Sequence, residues 1–138
     1  MAAAAETPIF TRAFDFLAWL LPATNHFPRA HRPSFTQRLL DAAFDLREAL
    51  EAANHRLGKD RLAYLRAADE ALDRVRVYLR LAAKLNWLTA GQYEHAARMV
   101  AEIGRLLGGW HKVTQATGET AARRRGDGNT GMGEAKVS

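Results

Sequence analysis

The chain contains no cysteine. That excludes a disulfide framework, a thiol nucleophile and any thiolate metal site, and it fits a reducing, intracellular setting. The opening residues, Met1 to Glu6, lack the basic segment of a secretory signal. The apolar run that follows, Phe16 to Ala23, is far too short to cross a bilayer. These absences lead to the expectation of a cytoplasmic protein with no membrane partner. No stretch alternates apolar and polar residues as a half-buried strand would.

Metal and catalytic constellations are equally scarce. A di-iron bundle needs a Glu-x-x-His pair on each of two helices and two further inward glutamates. Here Glu94 and His95 are adjacent, about 100° apart on a helix, and the five histidines show no i,i+4 pairing. Asp41, Asp45 and Glu48 share a helix face without histidine and read as solvated surface beside Arg38 and Arg47. Ser34 and Thr89 are helix-capping residues, and Ser138 is terminal, so no hydroxyl is set up as a nucleophile. Gly126-Asp127-Gly128-Asn129-Thr130-Gly131 matches G-x-G-x-x-G, but it lacks the preceding strand and following helix that would cradle a phosphate. The sequence therefore reads as a non-enzyme with no metal or cofactor site.

What is present is helix. The 138 residues suit one domain, and 48% of them are apolar, enough for a core without staples. The first helix is expected to open at Thr7-Pro8, to use Phe10, Phe14, Leu17 and Leu21 as its core face, and to end or kink at Pro22. A second opens at the capping box Ser34-Phe35-Thr36-Gln37 and buries Phe35, Leu39, Ala42, Leu46, Leu50 and Ala53. Gly58 reads as its C-cap. The third, from about Asp60 to Asn86, carries Leu62, Leu65, Leu72, Val75, Leu79 and Ala82. The fourth starts at a further capping box, Thr89-Ala90-Gly91-Gln92, and lines up Tyr93, Val100, Ile103, Leu107 and Trp110. Short connections after the second and third helices force neighbours to run antiparallel. The expected fold is all-α: an antiparallel, up-down-up-down four-helix bundle over residues 7–115. From about Thr117 the apolar period stops, and residues 116–138 are expected to form a basic, Gly-rich, disordered tail.

Charge and one helix point to function. The net charge is +5, with 16 basic and 12 acidic residues in 1–115. A basic body suits a polyanionic partner, RNA or DNA. On the third helix Arg76, Arg80 and Lys84 form one strip at i, i+4 and i+8. Beside it runs a second apolar set, Val77, Tyr78, Leu81 and Leu85, which a monomeric surface helix does not need. A second subunit is the expected cover, and the arginines then either pair with acids across the seam or line a groove for phosphate. Gly104 and Gly108, one turn apart, would permit close approach of a neighbouring helix. Arg123-Arg124-Arg125 in the tail would add nonspecific phosphate affinity or only solubility.

Several segments together carry a resemblance. They are Leu17-Ala18-Trp19-Leu20-Leu21-Pro22, Phe27-Pro28-Arg29, Val75-Arg76-Val77-Tyr78-Leu79-Arg80-Leu81, Gln92-Tyr93-Glu94-His95 and Glu102-Ile103-Gly104-Arg105-Leu106-Leu107-Gly108-Gly109-Trp110. In order and spacing the chain, over roughly residues 8–113, resembles the Avd-like accessory variability determinant proteins of diversity-generating retroelements. Those belong to a wider four-helix-bundle family that includes proteins encoded within 23S rRNA intervening sequences. The resemblance implies a homopentameric barrel. It also implies a non-catalytic subunit that binds reverse transcriptase and template RNA during mutagenic cDNA synthesis, with DNA a further candidate ligand. Carried onto this chain, the matching basic positions are Arg29, Arg76, Arg80 and Arg105. Arg32, Lys84 and Arg98 join them from charge and position alone. The alternatives are an RNA-binding bundle of the rRNA-insertion type without a polymerase, and a scaffold whose arginines only stitch subunits together.

Overall fold

The structure, a computed structural model, describes residues 7–137, with side chains for residues 8–120, 123, 124 and 126. Four α-helices make it up: α1 (Thr7–Ala23), α2 (Gln37–Asn54), α3 (Gly58–Lys84) and α4 (Ala90–Val137). No strand occurs among the described residues. Residues 55–57 join α2 to α3, and residues 85–89 join α3 to α4. Links this short leave successive helices no choice but to pack antiparallel. α2 lies on α3, α3 on α4, α4 on α1 and α1 on α2, which closes the bundle.

The core stripes of α2, α3 and α4 follow the sequence periodicity, except that Leu62 and Tyr93 are only half-buried. Leu39, Leu46, Leu50, Leu65, Leu72, Val75, Leu79, Ile103 and Leu107 are all buried, interleaved with Ala42, Ala53, Ala68, Ala82 and Ala96. α1 departs from expectation. Its buried residues are Ile9, Ala13, Phe16 and Leu20, one position out of phase with the expected set, while Phe14 and Leu21 are exposed and Phe10 and Leu17 only half-buried. α1 is apolar nearly all round, so its period admits either stripe.

The helix ends divide in the same way. α4 opens as expected: the Thr89 backbone N–H donates to Gln92 Oε1 at 2.9 Å, and the Gln92 N–H donates to Thr89 Oγ1 at 3.1 Å. The Ser34 box does not form. The chain is already helical from Arg32, in a π-turn (Arg32–Thr36) that runs straight into α2, so no free helix start exists at Ser34. Gln37 reaches forward instead, its Nε2 donating to Asp41 Oδ1 at 2.9 Å. Gly58, at φ +56°, opens α3 and does not cap α2.

α3 ends at Lys84, and two residues on stands Asn86, the one non-glycine residue with positive φ (61°) among those described. The Trp87 N–H donates to Ala82 O at 2.9 Å and the Asn86 N–H to Ala83 O at 3.1 Å. These two bonds make the paired closure that a left-handed residue allows at a helix C-terminus. Gly108 and Gly109 do not interrupt α4, which continues to Val137. This differs from the expected disordered tail after Thr117. Among the described side chains the last buried one is Thr114, and no proline interrupts the helix.

Candidate nucleic-acid interface

The two longest stretches of sequence without an acid are residues 16–40 and residues 74–93. The fold brings them to the same end of the bundle. The first covers the end of α1 and its connector to α2; the second covers the end of α3 and its turn into α4. Aromatic contacts fasten one to the other. The Trp87 ring lies 5.8 Å from Phe27, 5.1 Å from Phe35 and 5.3 Å from His31, the last stacked at 28°. The Asn86 closure of α3 is what swings Trp87 into this cluster.

The first stretch carries Arg29, Arg32 and Arg38, and the second carries Arg74, Arg76, Arg80 and Lys84. Two of these are engaged. Arg74 Nη2 meets Asp45 Oδ2 at 3.4 Å, and Arg76 Nη1 meets Asp73 Oδ1 at 2.7 Å. Arg76 is held further by α4: a Cβ on Gly104 would fall 2.6 Å from Arg76 Nη2, so the glycine leaves room for the guanidinium. Gly104 thus allows the close approach expected of it, whereas Gly108 faces open space. Arg29, Arg32, Arg38, Arg80 and Lys84 are exposed and have no ion pair among the described residues. Cations without local acids keep their full charge for an external anion, and low local acidity sums their potential.

The seven expected basic positions therefore do not form one site. Arg29, Arg32, Arg80 and Lys84 gather, unpaired, at the connector end. Arg76 is two turns down α3 and already paired. Arg98 pairs with Glu94 at 2.9 Å on the first turns of α4. Arg105 lies fifteen residues into that helix, about 22 Å along its axis, and grips Glu102 with two bonds of 2.9 and 2.7 Å. That hydrogen bond from Arg105 lowers the Glu102 pKa against an opposing desolvation, and it raises that of Arg105. Sequence reasoning missed Arg38, His26 and His31, which share the acid-free stretch. The signal that could have found them was the gap in acids, not any motif.

Val77, Leu81 and Leu85 lie on the outer face of α3 and are exposed. Tyr78, grouped with them in sequence, is instead half-buried, its ring edge-on to Phe35 at 5.6 Å. Among the described residues no three His, Asp or Glu side chains come together as a metal site. No helix among the described residues is long and apolar enough to cross a membrane.

The bAvd-like family model matches residues 9–114. Among solved structures, the chain is similar to a protein of unknown function from the S23 ribosomal protein family of Bacteroides thetaiotaomicron. The TM-score is 0.71 at 15% identity, covering 78% of this chain and 98% of that one. At that identity the likeness is one of fold, and it confirms the bundle over nearly the whole of the other protein. No curated protein matches in sequence.

Proposed function

The chain belongs to the bAvd-like family, and from that premise we propose that it is a non-catalytic accessory subunit of a diversity-generating retroelement, binding template RNA and the reverse transcriptase. The observation that carries the RNA part is the acid-free connector end, with Arg29, Arg32, Arg80 and Lys84 unpaired around the Trp87 cluster. Such a surface attracts phosphates without regard to sequence, and release of their counterions drives the binding. Shape and unstacked bases of a folded RNA would supply the selectivity that the cations lack. The polymerase partner is supported by family membership alone. Self-association, into the pentamer that the resemblance implies, is supported by the exposed α3 stripe.

A mobility-shift titration on a structured RNA tests the reading. Wild type is expected to bind at low salt, with a log–log salt slope of about −0.7 per phosphate contacted on single strands. The quadruple variant Arg29→Glu/Arg32→Glu/Arg80→Glu/Lys84→Glu should bind at least about tenfold more weakly and lose most of that slope. Equal binding by the variant, with its mass and helicity unchanged, would show that the site is elsewhere. Absence of binding by wild type would leave only the scaffold.

The likeness to a member of the S23 ribosomal protein family favours a second reading, an RNA-binding bundle without a polymerase. A reverse transcriptase gene with paired template and variable repeats nearby supports the first reading. A position inside an rRNA operon supports the second.

A further inference from the structure

Two uncovered apolar patches stand out among the described residues. The first is on α3: Val77, Leu81 and Leu85 are 56%, 42% and 45% exposed. The second was not evident in the sequence. It lies along the seam of α1 and α2, where Phe14, Leu21 and Phe44 are 66%, 41% and 39% exposed, with Leu17 and Leu40 half-buried between them. Arg47 of α2, sitting 5.0 Å over the Phe10 ring of α1, marks this seam. The α3 patch is on the far side of α2, where Arg74 reaches Asp45 and Tyr78 meets Phe35. The two patches are therefore separate surfaces.

We infer that these patches are the two halves of one contact: the α3 stripe of one copy docks on the α1–α2 seam of the next. This rests on the self-association proposed above and specifies its geometry. Three observations select the pairing. First, the stripes match in length, about 10 Å from Phe14 to Leu21 and about 12 Å from Val77 to Leu85. Second, both end level with the connector end, Leu21 two residues before α1 stops and Leu85 one residue after α3 stops. α1 and α3 run the same way, so copies related by rotation about the bundle direction bring the stripes into register. Third, the charges at the borders are complementary. Exposed Asp15, Asp41 and Glu48 flank the seam, whereas Arg80 and Lys84 flank the α3 stripe. Docking α3 on α3 would instead set these cations against their own copies and leave the seam bare. A head-to-tail contact covers both patches in every subunit once the ring closes.

The absence of cysteine gives a clean background for the test. Leu21→Cys/Leu85→Cys is expected to oxidise into a ladder of covalent multimers on a non-reducing gel, whereas Leu85→Cys alone stays monomeric on that gel. In parallel, Phe14→Glu and Val77→Glu should each be monomeric by mass, with helicity kept because both positions are exposed. Their equimolar mixture should form a dimer of one copy each, since each variant supplies the face the other has lost. Efficient dimer formation by Leu85→Cys alone would overturn the pairing in favour of an α3–α3 contact. So would Phe14→Glu assembling like wild type, or a mixture that stays monomeric. A wild type that is itself monomeric would overturn the self-association on which the pairing rests.

Discussion

The two ends of this bundle use their cations differently. At the connector end Arg29, Arg32, Arg80 and Lys84 touch no acid among the described residues. At the opposite end, where α2 turns into α3, the arginines are spent on the fold. Arg61 Nε donates to Ala53 O at 2.9 Å and its Nη2 to Asn54 O at 3.5 Å, and Arg56 Nη1 donates to Ala52 O at 2.9 Å. These carbonyls close the end of α2, where Ala52 O and Ala53 O otherwise accept only the long turn bonds from the His55 and Arg56 N–H groups at 3.3 and 3.2 Å, and a cation there also suits the helix dipole. Arg56 lies over Tyr64 at 4.5 Å and Arg61 over Trp110 at 5.3 Å. An arginine is thus informative about function only after its local acceptors and rings have been counted.

Exchanging the roles of the two ends should break this contrast most sharply in stability. Arg61→Ala is expected to cost about 1.5–3 kcal/mol, since it strips two carbonyls of a charged donor and removes packing from Trp110. Arg80→Ala should stay within about 0.5 kcal/mol of wild type. Chemical denaturation of both variants checks the pair, and equal losses would refute the division of labour. Next in size is Asn86→Val. Forcing a β-branched residue into the left-handed conformation should cost about 1–2 kcal/mol, and Asn86→Gly should not. The same substitution should loosen Trp87, read as greater solvent quenching of tryptophan fluorescence.

Smaller still is Gly104→Ala. The added methyl displaces only the mobile tip of Arg76, and alanine favours the helix, so a gain of up to about 1 kcal/mol is expected. Loss of stability on denaturation would mean that the Arg76 seat matters more than its exposure suggests. The smallest effect is in titration. The Glu102 pKa is lowered in the folded chain by its bond from Arg105, so its contribution to stability is present above the unfolded pKa. That contribution is lost as pH falls through the folded one. Carboxyl NMR should find Glu102 titrating below an unpaired glutamate, and Arg105→Ala should return it to the ordinary range.

Local signals in the sequence were read well and non-local ones were not. The Thr89 box and the stripes of α2, α3 and α4 depend on residues within a few positions of one another, and each appears where its spacing puts it. The Ser34 box fails because the preceding residues are helical too, which the four-residue pattern does not encode. α1 fails because Ile9-Ala13-Phe16-Leu20 and Phe10-Phe14-Leu17-Leu21 are both competent stripes. Only contact with α2 and α4 decides which is buried. The same ambiguity hid the α1–α2 patch. For the candidate site, the strip of Arg76, Arg80 and Lys84 was legible along α3. Its company with Arg29 and Arg32 was not, because about fifty positions separate them and only the packing of Trp87 unites them.

That packing also orders events in time. The α2–α3 hairpin is closed by three residues, so it can zip from a local start. The Trp87 contact with Phe27 joins residues sixty positions apart, and it must wait until α1, α2 and α3 have all found one another. The cationic surface at the connector end therefore has no existence in a half-folded chain. A nascent or misassembled copy would hold the same arginines scattered along its length, and only a completed bundle presents them as a single face.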